Sequence, residues 1–364
     1  MGEVNSVVTT PKRDGFWVRG EHERHLGTII IFPEREDIWR DHAIHAQDLI
    51  INLANTIVNF EEVFFCVKQQ YFGHVKKLLD SRIHIVEIDY DDIWARDIAP
   101  SFVVNKREMR AVCWSFNAWG GLTEGAYYPW DKDAMFAKRL ADYLGLKKYV
   151  VNDLVLEGGA VIADGRGVIY TTKSVLLNKN RNPNMSLEQI EDYLYEYFCA
   201  EKIVWIEDGL LYDETNGHID NVCSIISPGE LCMAYPQSEM NSQYEVLKKS
   251  MRKLLSSTTV HKFHKIPLPS SQYITADEAA GLSFTSSSTH RVEGFPLVPS
   301  YVNYYLVNSA VVFPVFNCEE DDEAIKVIKR LYPNREILLF DAREPLIGGG
   351  GFHCIMHEIP SIPE

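Results

Sequence analysis

The chain has 364 residues, 46% of them hydrophobic, with a formal net charge of −15 and a pI near 5.3. This length allows one large domain or two ordinary domains, with ample chain to bury a core. The acidity disfavours nucleic acid, whose phosphates need clustered Lys and Arg, and modestly favours a small cationic substrate.

Cysteine usage and hydropathy indicate the compartment. The seven cysteines are an odd number and contain no Cys-x-x-Cys pair, which fits neither a disulfide framework nor a zinc site. Several, such as Cys66 and Cys113, stand between apolar residues as small core side chains. No apolar run reaches the ~18 residues that cross a bilayer, and the N-terminus lacks a signal-peptide core. We predict a cytoplasmic protein with no membrane partner and no metal site.

Two short motifs have local explanations. Met1–Ser6 matches the loose myristoylation pattern, but only two positions of that pattern are specified, so we interpret the match as coincidence. The sequon at Asn184 includes Ser186, which with Gln189 predicts a capping box at the start of a helix.

Strand and helix patterns recur in a fixed order along the chain. The first unit has a strand at 27–32, a helix near 42–60, a strand at 62–67, a short helix at 71–80 and a strand at 83–89. Each of the next four units has two strands, a helix and a closing strand. These units are predicted at 101–104, 111–116, 132–145 and 148–151; 160–163, 167–172, 186–200 and 203–207; 222–227, 231–235, 240–256 and 259–264; and 302–307, 309–315, 321–332 and 336–341. The regular spacing indicates internal duplication.

Candidate chemistry follows the closing strands of four units. Asp97 follows 83–89, Glu157 follows 148–151, His218 follows 203–207 and Cys354 follows 336–341. If the units close around an axis, these four positions converge.

One segment, 268–301, interrupts the repeat and is rich in Ser and Pro. Long insertions of this kind are often lids or binding loops, and a plain surface excursion is equally compatible with the sequence.

Cys354 is the strongest candidate for a nucleophile. It follows four consecutive glycines, 348–351, whose bare amides can approach a ligand closely and can stabilise a thiolate. The glycine run is not a phosphate-binding loop, because no Gly-Lys-Ser/Thr follows it.

The other polar candidates are weaker one by one. His218 and Asp220 would point to the same face if they lay in a strand, as suits a proton shuttle beside an anion. Glu157 is either at a loop surface or inward and paired, and Asp97 beside Arg96 is equally compatible with a surface ion pair.

Taken together, these motifs resemble the agmatine deiminases, guanidine-modifying enzymes of the pentein fold that are related to bacterial peptidylarginine deiminases. The resemblance runs nearly end to end. It is carried by Pro11–Phe16, Trp94–Asp97, Phe116–Gly121, Leu156–Gly159, Glu214–Asp220, Ser300–Asn303 and Gly348–Cys354. It implies a single α/β domain over 1–364, a five-fold pseudosymmetric propeller of ββαβ repeats around a central active site.

The resemblance also implies roles for the candidate residues. Cys354 would be the nucleophile and His218 the acid and base. Glu157 would contact the guanidinium and help to hold His218, while Asp97 and Asp220 would clamp the guanidinium nitrogens. No cofactor is required. The implied reaction is hydrolysis of agmatine to N-carbamoylputrescine and ammonia, a step of polyamine metabolism.

The distal end of the substrate needs its own contacts. A second positive charge about four methylenes from the guanidinium would be costly to desolvate unpaired. Glu214 is the nearest further acid, Trp94 can cover the alkyl chain and Gly351 can contact the substrate through its backbone. The sequence departs from the family pattern at Phe32–Pro33, Asn221 and His357–Glu358.

Two other functions stay open. Deimination of free or peptidyl arginine would use the same centre, although no pair of basic residues accompanies the four motifs to bind a carboxylate. The other is a non-catalytic binding protein, because pentein rings also occur in a translation factor that caps a ribosomal subunit. Such a protein would not need Cys, His and acidic residues at equivalent ends of the repeats. The sequence leaves the oligomeric state open, including a homo-oligomer.

Overall fold

The computed structural model describes residues 6–363. The myristoylation pattern therefore lies outside the described residues except for Ser6. Over the described residues, no helix is long and apolar enough to cross a membrane.

Short strands make up the sheets of the structure. In chain order they are β1 (His25–Ile31), β2 (Glu62–Val67), β3 (His84–Glu87), β4 (Ser101–Val104), β5 (Met109–Ser115), β6 (Lys148–Val155), β7 (Val161–Ala163), β8 (Val168–Thr172), β9 (Lys202–Ile206), β10 (Cys223–Ser227), β11 (Glu230–Tyr235), β12 (Lys262–Pro267), β13 (Gln272–Tyr273), β14 (Pro296–Leu297), β15 (Tyr305–Val307), β16 (Ala310–Val315), β17 (Glu336–Asp341) and β18 (Met356–Pro360).

Helices connect the strands and carry several of the site residues. They are α1 (Ile44–Ile57), α2 (Gln69–Val75), α3 (Ala95–Ile98), α4 (Gly121–Glu124), α5 (Asp131–Ala134), α6 (Phe136–Tyr143), α7 (Lys173–Leu176), α8 (Leu187–Tyr197), α9 (Tyr244–Leu255), α10 (Ala276–Ala280), α11 (Asp321–Leu331), α12 (Arg343–Gly348) and α13 (Phe352–Ile355). The predicted capping box is confirmed at the start of α8, where Ser186 accepts from the Gln189 amide and Gln189 accepts from the Ser186 amide.

The five main sheets share one topology. In each, the first strand pairs antiparallel with the second, and the second pairs parallel with the strand after the helix: β4-β5-β6, β7-β8-β9, β10-β11-β12, β15-β16-β17 and β18-β1-β2, the last extended by β3. The parallel pair needs a crossover, which a helix supplies. The predicted five-fold repetition of ββαβ units is confirmed.

The first unit is built from both ends of the chain. Strand β18, directly after Cys354, pairs antiparallel with β1, so that Gly27 faces Ile359 and Ile30 faces Met356. This strand was absent from the prediction, because five residues near a terminus carry too short a pattern to identify. Its pairing closes the set of sheets and places Cys354 beside the first unit.

The first strands of the units lie against strands of neighbouring units. Strand β4 contacts β18, β7 contacts β10, and β15 contacts β1. The second strands are almost wholly buried, as in Ile29–Ile31 and Val311–Phe313, because they are covered on both faces. The loops that follow the closing strands consequently meet near one place.

Several element boundaries differ from the prediction. Helix α2 ends at Val75 rather than at 80, and β6 ends at Val155 rather than at 151. The closing strand of the fourth unit spans Lys262–Pro267 rather than 259–264. Turns that hydrogen-bond Ser257 to Leu254 and Val260 to Ser257 occupy the segment after α9. The alternation of apolar and polar residues in this segment does not distinguish these turns from the start of a strand.

Replacement of a side chain in β18 tests its contribution to ring closure. Ile359 is fully buried, so Ile359→Ala should lower the free energy of unfolding by about 3 kcal/mol, through lost burial and the cavity left behind. Urea denaturation followed by circular dichroism measures this. Ile362, just beyond the strand, is 42% exposed, and Ile362→Ala should change stability by less than about 0.5 kcal/mol. Equal effects of the two substitutions would mean that β18 does not contribute to the core.

Candidate active site

Four segments after closing strands bring the candidate side chains together. Asp97 lies in α3, and Glu157 directly precedes the 3-10 helix Gly158–Ala160. His218 directly precedes the 3-10 helix Ile219–Asn221, which contains Asp220. Cys354 lies in α13. All five are buried.

The distances show how compact this centre is. His218 Nδ1 lies 3.9 Å from Asp97 Oδ1, and His218 Nε2 lies 3.7 Å from Glu157 Oε2. Cys354 Sγ lies 3.8 Å from Asp220 Oδ2. The His218 contacts are ion-pair distances, too long for hydrogen bonds. They therefore leave the imidazole and the carboxylates able to take a further partner.

Gly159 stands between the motifs. A Cβ at this position would lie 2.5 Å from His218 Nδ1, 2.9 Å from Asp220 Oδ2 and 3.0 Å from Asp97 Oδ1. A residue with any side chain would thus push the three functional groups apart. The Gly-Gly pair after Glu157 is required by this close approach.

Asp97 is held by two donors. The Trp119 indole Nε1 donates to Oδ2 at 2.9 Å, and the Gly159 amide donates to Oδ1 at 2.9 Å. Burial, together with the nearby Asp220 and Glu157 carboxylates, raises the pKa of Asp97 to about 6, although His218 acts in the opposite direction. The surface ion-pair interpretation of Asp97 and Arg96 is wrong, because both are buried and Arg96 pairs with Glu21 and Glu358 instead.

Glu157 is held by Arg181. The guanidinium Nε lies 2.5 Å from Glu157 Oε1, and Nη2 donates to the Thr215 carbonyl at 3.1 Å. Burial raises the pKa of Glu157, but Arg181 and His218 outweigh it and lower the pKa to about 2. Arg181 therefore keeps this carboxylate ionised and ties it to the turn before His218.

His218 lies at the end of a turn rather than in a strand, so the predicted reason for its orientation is wrong. Asp213 Oδ2 and Thr215 Oγ1 accept from its amide at 3.2 and 3.3 Å, which fixes the turn. Burial lowers the pKa of the imidazole, but Asp97 and the other two carboxylates raise it to about 9. His218 is thus protonated at neutral pH.

The Cys354 thiol lies beside the Asp220 carboxylate and the side-chain amide of Asn303. Asn303 Nδ2 lies 3.4 Å from Sγ and donates to Asn221 Oδ1 at 3.0 Å. Burial, followed by Asp220 and Asp97, raises the pKa of the Cys354 thiol well above its ordinary value, and the Gly351 amide and Asn303 only partly oppose this. The Gly351 amide thus acts in the direction expected of the glycine run, but burial and the two carboxylates outweigh it.

A pocket of about 370 Å³ opens onto Cys354 and Asp97. Its wall includes Trp94 and Glu214, as predicted for the substrate chain and amine. Gly351 is outside this wall and packs against Asn303, where a Cβ would lie 2.3 Å from Oδ1. A substrate contact of Gly351 stays a prediction.

The insertion 268–301 reaches this pocket. Its Arg291 lines the wall and makes a bidentate pair with Glu214, Nη2 to Oε2 at 2.8 Å and Nε to Oε1 at 3.1 Å. Gly349, with φ of +110°, lies so close that a Cβ would be 2.9 Å from Arg291 Nη2. The binding-loop interpretation is therefore favoured over a plain surface excursion. A basic residue beside the site, which the sequence motifs did not reveal, is present.

Several residues at the site were missed from the sequence. Arg181 and Arg291 lie far along the chain from the groups they hold, and Trp119 and Asn303 were identified only as parts of motifs. His353 stands next to Cys354 and offered a signal, because it is a titratable side chain adjacent to the nucleophile candidate. Among residues 6–363, no group of three or more His, Cys, Asp or Glu is arranged to hold a metal ion.

Three buried polar atoms at the centre have no hydrogen-bond partner: Glu157 Oε2, His218 Nε2 and Asp220 Oδ1. Leaving such atoms unpaired costs free energy. The two carboxylate oxygens, together with Asp97, can accept from a flat cation with several N–H donors, whereas protonated His218 Nε2 can only donate. A thiol stands beside them.

The pH dependence of alkylation tests the state of the thiol. With a pKa well above 9, Cys354 should react with iodoacetamide about tenfold faster per pH unit between pH 7 and 9, without a plateau. Mass spectrometry of the Cys354 peptide measures the rate, and the urea-unfolded chain is the control, since its thiols titrate near 8.5. A plateau below pH 8 in the folded protein would show a stabilised thiolate.

Comparison with known proteins places the chain among deiminases. The profile of a family described as Porphyromonas-type peptidyl-arginine deiminase matches residues 17–360. An agmatine deiminase from Ectopseudomonas mendocina is 38% identical over 364 residues, covering 98% of this chain and 99% of its own. The structure of the agmatine deiminase of Enterococcus faecalis has a TM-score of 0.94 and 35% identity, covering 98% of this chain and 100% of its own. A C. jejuni agmatine deiminase with bound substrate, 23% identical with a TM-score of 0.81, has the same fold. The chain therefore has the predicted pentein fold and belongs to the Porphyromonas-type peptidyl-arginine deiminase family of enzymes.

Proposed function

We propose that the protein hydrolyses agmatine to N-carbamoylputrescine and ammonia through a covalent amidino-cysteine intermediate on Cys354. The observation that carries this proposal is the set of unpartnered atoms on Glu157, His218 and Asp220 beside the thiol. The named activity of the relatives supports it. The whole chain would act as one catalytic domain, because the site takes residues from units along its full length.

A guanidinium fits the free atoms. It is planar, with N–H donors in a fixed fork that carboxylates match in bidentate fashion. Asp97 and Asp220 would clamp its nitrogens, with Glu157 completing the cluster. The bound cation would lower the pKa of Cys354, since Asp97 and Asp220 help to raise that pKa in the empty site.

In the first half of the reaction, the Cys354 thiol releases its proton to solvent water, and Sγ bonds to the guanidinium carbon. One terminal C–N bond then breaks. His218, protonated at neutral pH because the carboxylates raise its pKa to about 9, donates a proton to the departing ammonia. The amidino group stays bonded to sulfur.

In the second half, water attacks the amidino carbon. His218, now neutral, accepts one proton from this water. The second proton passes to Sγ as the C–S bond breaks, which releases the ureido product and regenerates the thiol. One water is consumed and one ammonia released, so no redox change occurs and no cofactor is required. The product is a carbamoylated diamine, consistent with a step of polyamine metabolism in the cytoplasm.

Loss of the nucleophile tests the reaction class. Cys354→Ala should lower the rate of ammonia release from agmatine by about ten-thousand-fold, because covalent catalysis is removed. A coupled ammonia assay measures the rate. Rapid acid quenching of the wild-type reaction should reveal an amidino adduct on the Cys354 peptide. Full activity of Cys354→Ala would disprove the mechanism, and a wild-type protein inactive on any guanidine would favour the non-catalytic binder.

Arginine deimination is the second candidate, and Arg291 is the observation that favours it. Its buried Nη1 has no hydrogen-bond partner, and a substrate carboxylate could accept from it while the α-amine approaches Glu214. The bidentate pairing of Arg291 with Glu214 opposes this, since a carboxylate would meet Glu214 as a like charge. Steady-state rates on agmatine and arginine decide between them.

Glu214 provides a test at the distal end. Glu214→Gln should raise the KM for agmatine about 30-fold, because it removes a charged contact to the amine and leaves Arg291 unpaired beside a second positive charge. The KM for n-butylguanidine, which lacks the amine, should change far less. Initial-rate kinetics on both substrates measure the difference.

Two control variants sharpen this test. Glu245→Gln removes an exposed carboxylate on α9 that pairs with Lys248, and should leave both KM values unchanged. Glu214→Gln combined with Arg291→Met separates loss of the carboxylate contact from repulsion by the unpaired guanidinium. Equal losses on agmatine and n-butylguanidine in the single variant would assign Glu214 to the scaffold.

A further inference from the structure

The residue before the nucleophile faces away from the substrate pocket. His353 and Cys354 are consecutive in α13, and neighbouring residues of a helix point about 100° apart. Cys354 lines the pocket with Trp94. His353 lines a different pocket, of about 370 Å³, together with Glu21 and Asp220. The two pockets share none of their wall residues.

His353 makes two short hydrogen bonds, one from each ring nitrogen. Nδ1 lies 2.9 Å from Asp220 Oδ2, and Nε2 lies 2.8 Å from Glu21 Oε2. Its backbone is held too, since Asn303 Oδ1 accepts from the His353 amide at 3.1 Å. The ring is therefore fixed at both ends.

Glu21 orients His353 from the far side. Its other oxygen, Oε1, lies 3.2 Å from Arg96 Nη1, and Arg96 also pairs with Glu358 at 2.8 Å. Burial lowers the pKa of His353 and Arg96 lowers it further, but Glu21 and Asp220 raise it to about 9. His353 thus donates from both nitrogens at neutral pH.

As a consequence, the two carboxylate oxygens of Asp220 have different surroundings. Oδ2 is occupied by His353, whereas Oδ1 is buried and has no partner. Because a carboxylate is rigid and planar, fixing Oδ2 also fixes where Oδ1 points. The free oxygen is the one available to a guanidinium.

We infer that His353, oriented by Glu21, is the positioning residue that presents Asp220 Oδ1 to the guanidinium of the substrate. The inference deepens the proposed function and rests on it for the identity of the substrate. His353 acts through Asp220 and does not touch the substrate. It serves the guanidinium end, so its loss affects every guanidine alike, whereas loss of Glu214 affects the amine end.

Two amide replacements separate the bonds that His353 makes. The side-chain nitrogen of Asn can occupy the position of histidine Nδ1, and that of Gln the position of Nε2. His353→Asn should therefore keep the bond to Asp220 and lose that to Glu21. His353→Gln should keep the bond to Glu21 and lose that to Asp220.

The kinetic test compares these two variants with wild type on agmatine and n-butylguanidine. His353→Gln should raise the KM about 30-fold on both substrates, because it loses a hydrogen bond to a charged group. His353→Asn keeps this bond, so its KM should stay close to that of wild type. A purely structural role would lower kcat in both variants without moving KM. Thermal unfolding of each variant identifies any that fails to fold.

A second readout does not depend on agmatine being the substrate. The rates at which Cys354 is alkylated by 2-chloroacetamidine, a cation, and 2-chloroacetamide, its neutral counterpart, are measured by mass spectrometry. The ratio of the two rates measures how strongly the carboxylates around the thiol favour a cation over a neutral molecule. It should fall about 30-fold in His353→Gln and little in His353→Asn.

The outcomes distinguish the two proposals. If wild type does not deiminate agmatine but the alkylation ratio falls selectively in His353→Gln, the substrate assignment fails and the positioning role stands. If wild type deiminates agmatine and the two folded variants have equal KM values and equal alkylation ratios, the positioning role is overturned.

Discussion

The protein depends on holding three carboxyl groups together in a buried space a few ångströms wide. Like charges removed from water repel one another and lose solvation, so each needs a partner that does not occupy the face turned to the substrate. Asp97 has Trp119 and the Gly159 amide, Glu157 has Arg181, and Asp220 has His353. Atoms that stay free after this pairing define what the site can bind.

This arrangement explains the state of the two reactive groups. The carboxylates raise the pKa of His218 to about 9 and, with burial, hold the pKa of Cys354 well above 9. The site thus contains an imidazolium and a thiol. In the proposed reaction, the bound cation would generate the nucleophile, so that the reactivity of the thiol would depend on the charge of the substrate.

A supporting layer lies behind the site, and most departures from the family pattern belong to it. Glu358 pairs with Arg96, His357 stacks on Phe102 with ring centroids 5.8 Å apart, and Asn221 accepts from Asn303. None of these lines the pocket that contains Trp94 and Glu214. They contact residues of α3, β4 and the segment around Asn303, behind the pocket rather than in its wall.

The sequence by itself determined the five-fold repeat, the strands and helices of its units, and the position of Cys354, His218, Glu157 and Asp97 after closing strands. These are local patterns, since periodicity and turn residues depend on neighbours along the chain. Only the tertiary structure decided which side chains hold these groups in place. Arg181, His353 and Arg291 act across the space enclosed by the sheets, and Arg291 comes from an insertion that no periodicity describes. Short strand β18 likewise became recognisable only through its pairing with β1, because a five-residue segment is specified by its partner strand more than by its own pattern.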